Sequence, residues 1–371
     1  MTALTFGGKC KITLQSDVPT PTIILPTDVI VRVSLCGICG SDLHPYHERE
    51  QGLAQGTVVG HEFVGTVAVI GSQVSPHWLG ARVMCPFTTS CGGCFYCKAG
   101  ATCRCSHPQA HVFGWVGAGP AAEADASAGA DPPQAAPQGL QGSQAQYVRV
   151  PLAESSLVKI PDSITDEEGI LLGDILSTAF FCADNGCVSD GSSVAVVGCG
   201  PVGLLAIMAS LHLGAEKVWA IDSVPDRLAM AAALGARPIN FLTEDAKTAV
   251  MAGTEGRGAD VVLEVVGLAP ALELAYNLLR PMGVLSSVGV HTSQSFPFSP
   301  VDGYNRNLTY KSGRCPARRF MERLIPLVAS HRLDFTQIIT HRLGLSEGVH
   351  GYDIFDRKLD GAIKVVLDPW K

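Results

Sequence analysis

Charge and aromatic side chains are both scarce in this chain. Only 16% of its 371 residues are charged and 6% are aromatic, and acids outnumber Lys and Arg by 34 to 27. The resulting net charge of −7 argues against nucleic acid or an anionic membrane as the main partner, since both are bound through a basic surface. One short basic cluster, Arg314, Arg318 and Arg319, reads as a solvated helix start. Long apolar runs are missing as well. No stretch approaches the ~20 residues of a membrane span without Gly, Pro or charge. Met1 to Gln15 has neither the apolar core nor the small-residue cleavage pattern of a secretory leader. Thirteen cysteines in such a chain point to a reducing compartment, the cytoplasm, with thiolates serving metal rather than disulfides.

The hydrophobic fraction is 47%, enough for two domains with substantial cores. Up to about Pro161 the chain is rich in Val, Gly, Pro and Thr. Short runs such as Val29-Ile30-Val31-Arg32-Val33 read as strands. Gly117 to Ser143 is mostly Ala, Gly, Pro and Gln, and is expected to be a flexible insertion because it has little apolar surface to bury. From about Ser192 the pattern becomes alternating strands and helices: strands at Val194–Val197, Lys217–Ile221, Asp260–Val265 and Val284–Val288, helices at Pro201–Leu213, Asp226–Leu234 and Pro270–Leu279. This alternation implies a doubly wound parallel sheet with helices on both faces. The tail from Cys315 carries a helix, Arg319 to Ala329, and a last strand, Ile363 to Leu367.

Gly198-Cys199-Gly200-Pro201-Val202-Gly203 is a G-x-G-x-x-G turn between a strand and a helix. Gly198 permits the tight turn, Gly200 lets a pyrophosphate approach the backbone, and Gly203 lets helix and strand pack closely. The pyrophosphate would rest on the helix N-terminus that Pro201 and Val202 begin. Asp222 closes the next strand, where an acid binds the adenosine ribose hydroxyls. Its charge favours NAD over NADP, while Arg227 nearby offers a guanidinium to a 2′-phosphate.

Cys91, Cys94, Cys97 and Cys105, spaced x2, x2 and x7, suit a tetrahedral zinc with no open position. Cys103 competes with Cys105 as the fourth ligand on spacing alone. Disulfide pairing is the weaker alternative. A second set is split between Cys36-Gly37-Ile38-Cys39-Gly40-Ser41-Asp42-Leu43-His44 and Gly60-His61-Glu62. It resembles half of an open zinc site, which needs about three protein ligands and one exchangeable position. Spacing alone leaves the reading at an NAD-linked, zinc-containing enzyme.

With these motifs and the final Lys364-Val365-Val366-Leu367 run, the chain resembles the zinc-dependent medium-chain alcohol dehydrogenase family over nearly its whole length. The resemblance implies an α/β fold: a GroES-like β-rich catalytic domain from residues 1–174 and 315–371, holding the 117–143 insertion, plus a Rossmann domain at 175–314. It implies Cys39, rather than Cys36, and His61 on a catalytic zinc, with Glu62 an adjacent, exchanging ligand. Where many members have Cys, Asp174 stands, a pattern similar to the glutathione-independent formaldehyde dehydrogenase branch. In that branch a loop at the insertion covers bound cofactor, a role for which residues 117–143 look too loose. Ser41 and His44 are implied in a proton relay and Phe87 in the substrate pocket. Lys364 is implied on the cofactor pyrophosphate, and Val288 and Val290 beside the nicotinamide. Gly40 stands where some relatives carry a basic pyrophosphate contact.

The expected enzyme holds two zinc ions and uses NAD to oxidise an alcohol or an aldehyde hydrate, as a homo-oligomer, dimer or tetramer. Reduction of an aldehyde or enone is the competing enzymatic reading. A non-catalytic zinc and NAD-binding protein is the competing reading of another class.

Overall fold

The structure is a computed structural model; it describes residues 1–117 and 139–371. The stretch 118–138, the body of the expected insertion, lies outside the described residues. The chain divides into two compact units, Met1–Asp174 with Pro316–Lys371, and Ile175–Cys315.

The first unit is built on a seven-stranded sheet. Its spine runs Ile339–Gly344, Lys364–Asp368, Val29–Ile38, Phe63–Ile70, Arg82–Met84 and Val158–Lys159, with Tyr147–Val150 also on Val29–Ile38. Val29–Ile38 is β-branched and apolar where it is buried and turns its one exposed side chain, Arg32, outward. Val29, Val31, Val33 and Ile38 sit in one core with Phe63, Val67, Phe113, Val365 and Leu367. Each such side chain, fully removed from water, contributes roughly 1.5–3 kcal/mol. Pairing of Leu367 with Cys36 and of Val365 with Ile38 closes the unit from both halves of the chain.

The second unit is a six-stranded parallel sheet. Numbered along the chain from Ser193–Val197, its strands lie in the order 3-2-1-4-5-6. The order reverses beside Ser193–Val197, the place where such sheets bind nucleotides. The helix Pro201–His212 is apolar nearly all round and correspondingly buried. Pro201 fits its first turn, where no backbone donor is lost to the helix.

Two sequence expectations need correcting. The C-terminal part of the expected insertion is ordered: Gly139–Leu140 pairs with Trp115–Val116, and Gly142, Ser143 and Gln144 are buried. Its glycines, which made it read as loose, allow close backbone approach: a Cβ on Gly139 would strike the Trp115 carbonyl, and one on Gly142 the Val59 carbonyl. The basic cluster is also not simply solvated. The helix begins at Ala317, and Arg318 donates to the Ser155 carbonyl at 3.2 Å and pairs with Glu322 at 2.6 Å. Among the described residues no helix is long and apolar enough to cross a membrane.

Candidate active site

Cys39, His61 and Asp174 come from three separate segments of the first unit, and all three are buried. Cys39 caps the turn after Val29–Ile38, His61 immediately precedes Phe63–Ile70, and Asp174 ends the helix Asp166–Gly173. Their donor atoms lie within 4.8 Å of one another. His61 Nε2 is 3.2 Å from Asp174 Oδ2, which is 3.4 Å from Cys39 Sγ. Ser41 Oγ joins them, 3.1 Å from His61 Nε2 and 3.3 Å from Cys39 Sγ. The Phe87 ring stands edge-on to His61 with centroids 6.4 Å apart.

Burial opposes charge on His61, but Asp42 and Asp174 outweigh it and raise its pKa well above 6.5. Burial raises the Cys39 thiol, with Glu62 and Asp174 adding to the effect. Burial also pushes Asp174 upward, yet its hydrogen bond with His61 and that imidazole's charge leave its pKa lowered overall. Two carboxylates and a thiol therefore surround one buried imidazole. His61 presents Nδ1 to Asp42 at 3.0 Å, fixing which nitrogen faces the other donors. A thiol, an imidazole and a carboxylate are a donor mix that suits a catalytic zinc, which takes three protein ligands. The residues fit that ion.

The second cluster is Cys91, Cys94, Cys97 and Cys105, whose sulfurs also lie within 4.8 Å of one another; Cys103 is not in the group. Cys94 and Cys105 have sulfurs 3.9 Å apart, close to the roughly 3.8 Å edge of a tetrahedron with 2.3 Å zinc–sulfur bonds. The Cys97 and Ser106 backbone N–H groups hold the Cys94 thiol down at about 5, while burial pushes Cys97 up to about 12. None of the thirteen cysteines is in a disulfide.

Glu62 is adjacent to the three-donor group but not in it, and Lys364 is only 1% exposed. They pair with each other, and Lys364 Nζ also donates to the Ile38 carbonyl at 3.0 Å. The cause is mutual: a charge this deep needs its opposite. Gly37 makes room, since a Cβ there would sit 2.5 Å from Glu62 Oε2. Ser41 and His44 share no hydrogen bond among those described; His44 is buried, with Nδ1 unpartnered. Burial lowers its pKa, assisted by Arg49 and His47.

Sequence reading missed Asp42 and Gln144. Asp42 Oδ2 accepts from Cys39 N at 2.9 Å and from Gln144 Nε2 at 3.3 Å, while Oδ1 holds His61, so one carboxylate orients two donors. The position of Asp42 inside the Cys39–His44 run was the available signal.

In the second unit Gly198 has φ +96°, and a Cβ there would meet Val266 at 2.5 Å. A Cβ on Gly203 would strike the Gly198 carbonyl, and Gly200 caps the helix that Pro201 and Val202 open. Asp222 Oδ2 accepts from Cys199 N at 2.7 Å, and Oδ1 accepts from Ser223 N and Val224 N. Arg227 Nη1 stands 4.0 Å from Asp222. Val288 donates to the Glu264 carbonyl, and Val290 is exposed beside Gly267, whose missing Cβ leaves room for the Val290 backbone. Glu264, also missed from sequence, is buried and holds Ser287 Oγ at 2.6 Å and His291 Nε2 at 3.0 Å. Its Oε1 accepts from Val266 N and Gly267 N.

A GroES-like unit with two zinc-type donor clusters, joined in one chain to a Rossmann-like sheet, is the architecture of the zinc-type, nicotinamide-linked class of oxidoreductase. The alcohol dehydrogenase GroES-like domain model matches residues 25–162 and the zinc-binding dehydrogenase model residues 201–330. The chain belongs to the zinc-type medium-chain alcohol dehydrogenase family and is an oxidoreductase acting on alcohols. It is 37% identical to zinc-type alcohol dehydrogenase B of Aspergillus flavus over 96% of this chain and 79% of that one. It is 43% identical to a medium chain reductase/dehydrogenase of an Acremonium species over 82% of this chain and 98% of that one. The solved alcohol dehydrogenase TADH from Thermus sp. ATN1 superposes with a TM-score of 0.87 at 40% identity, covering 99% of each chain.

Proposed function

We propose that the chain oxidises an alcohol or an aldehyde hydrate with NAD, as a zinc enzyme similar to the glutathione-independent formaldehyde dehydrogenase branch. The observation that carries this reading is the convergence of Cys39, His61 and Asp174 beside Ser41. These three residues would hold a catalytic zinc, and Cys91, Cys94, Cys97 and Cys105 a second zinc with no position left for substrate. When bound, the zinc would acidify a substrate hydroxyl and the nicotinamide would take the hydride.

The remaining work falls to the chain. Ser41 Oγ, at the edge of the donor group, accepts the hydroxyl proton. His44, whose buried imidazole is held below its usual pKa, is the neutral base toward which that proton moves, through a group between the two side chains rather than by a direct hydrogen bond from Ser41. Phe87 flanks the substrate and keeps water from it. The turn Gly198–Gly203 presents backbone N–H groups to the pyrophosphate. Asp222, pinned by three backbone N–H groups, accepts from the ribose hydroxyls and repels a 2′-phosphate; Arg227, 4.0 Å away with its buried Nε unpartnered, is the group that would favour NADP instead. Val288 and Val290 line the nicotinamide side.

We further propose a homo-oligomer, dimer or tetramer, in the cytoplasm. The edge strand Thr309–Ser312 and the exposed Phe296, Val301 and Tyr304 favour self-association.

The test is nicotinamide reduction by zinc-loaded protein given primary alcohols, polyols and formaldehyde, with NAD and NADP in parallel. NADH formation with one substrate class supports the reading. Faster turnover with NADP, or no turnover of any substrate with either cofactor, overturns it.

A further inference from the structure

Just beyond the Cys39–His44 run, a thiol, an imidazole and a carboxylate that belong to neither zinc-type cluster form a chain. Cys10 is exposed at the turn between the strands Ala3–Gly8 and Lys11–Gln15. Its φ of +52° is unusual for a residue with a side chain. Cys10 N donates to the Tyr46 carbonyl at 2.7 Å, tying the turn to the end of the short helix Leu43–Tyr46. There Cys10 Sγ lies 3.4 Å from His47 Nδ1. The opposite ring nitrogen, His47 Nε2, lies 2.7 Å from Asp356 Oδ1, on the helix Gly348–Arg357.

This arrangement is a relay rather than a metal site. The imidazole stands between sulfur and carboxylate and uses one nitrogen for each, so the three donors do not converge, and they are absent from the groups of clustered donors. Asp356, as an ionised carboxylate, only accepts, so Nε2 carries the hydrogen. Nδ1 then offers its lone pair to the thiol. That is the geometry of an activated nucleophile: base within reach of the thiol, and a third group orienting the base. Lys9 and Lys11, both exposed, bracket Cys10 in the chain and favour an anionic reaction partner.

We propose that Cys10 is a thiol-exchange site for a low-molecular-mass disulfide bearing carboxylates. His47 Nδ1 takes the thiol proton, and the Cys10 thiolate attacks one sulfur of the disulfide. A new S–S bond forms at Cys10 as the old one breaks. The leaving thiolate takes the proton from His47, so Cys10 is oxidised and the released thiol is the reduced product. The zinc-type clusters play no part in this step, and it does not depend on the dehydrogenase reading.

The test uses zinc-loaded full-length protein, glutathione disulfide as the probe, and peptide mass mapping over time. A free thiol of pKa about 8.5 is only a few per cent thiolate at neutral pH, so an imidazole base is expected to speed its reaction about tenfold. One glutathionyl group should appear on the Cys10 peptide ahead of the exposed Cys187. The Cys10 rate should fall about tenfold in His47→Gln and several-fold in Asp356→Asn, and Cys10→Ser should abolish that adduct. Cystamine, a cationic disulfide, should react more slowly than glutathione disulfide. Each variant should keep the wild-type thermal unfolding midpoint, which separates lost activation from lost structure. An unchanged Cys10 rate in a folded His47→Gln protein overturns the relay. A cystamine rate equal to or above that of glutathione disulfide overturns the preference for an anionic partner.

Discussion

The four-cysteine loop takes its donors from a segment in which Cys91 and Cys105 are only 14 positions apart, whereas Cys39 and Asp174 are separated by 135. The loop is only partly buried and purely thiol; the other cluster is buried and mixes thiol, imidazole and carboxylate. In the loop, backbone N–H groups from the turn itself support the sulfurs, as Cys91 N does for Cys105 and Cys94 N for Cys91. In the mixed cluster local acids, Asp42 beside Cys39 and Glu62 beside His61, are themselves held by distant partners, Gln144 and Lys364. A local cluster can stabilise a loop by itself. A dispersed one reports on whether the whole unit has assembled, and its unlike donors leave room for chemistry.

The comparison breaks most sharply at Asp174. Asp174→Ala is expected to lower kcat/KM by about 10³-fold or more and bring zinc from two to one per chain by elemental analysis, with the loop's ion retained. Two ions in the folded variant would sink the ligand assignment. Cys97→Ser makes the opposite cut. It should lower the unfolding midpoint by about 10 °C or more, measured by calorimetry, while the remaining folded enzyme turns over normally. Asp42→Asn keeps all three donors but weakens the hold on His61, and should cost about 10–100-fold in zinc affinity, read by chelator competition.

The smallest effect concerns pH. In metal-free protein the raised His61 pKa stabilises the fold fully below its ordinary value of 6.5, and that stabilisation is lost as pH rises through the raised value. The lowered Asp174 pKa acts oppositely, contributing above 3.8 and fading as pH falls below it. Chelator-stripped protein should therefore melt highest between about pH 4 and 6.5 and lose a few degrees at alkaline pH. Zinc-loaded protein should show no such alkaline decline, because zinc replaces the proton on His61. Parallel alkaline slopes for the two forms would show that this imidazole does not face the metal.

What the sequence made legible follows the same division. The cysteine loop, the glycine turn at Gly198–Gly203 and the strand–helix alternation after Ser192 are short-range patterns, and each has its counterpart in the structure. The resemblance gives Glu62 and Lys364 separate roles; that they also pair with each other was not legible, because only the pairing of Lys364–Asp368 with Val29–Ile38 brings them together. The Gly139–Leu140 strand was hidden in a segment whose composition suggests looseness, and Gln144 directly follows that segment. Their order comes from partners far away, the Gly37 carbonyl for Gln144 and the Trp115–Val116 strand for Gly139–Leu140. Family resemblance, not spacing, singled out Asp174, since nothing local marks an acid at a helix end as a donor.

Lys364 lies 302 positions beyond Glu62. During synthesis the Glu62 side chain is therefore made long before its counter-charge, and the central strand Val29–Ile38 waits as long for one neighbour. The second unit, contiguous from Ile175 to Cys315, is complete by then. The nascent protein should thus mature in two stages, a nucleotide-type unit first and the donor pocket last. A ribosome stalled short of Lys364 would carry an acid with no cation to sit against, making synthesis of that strand the quality check on the pocket.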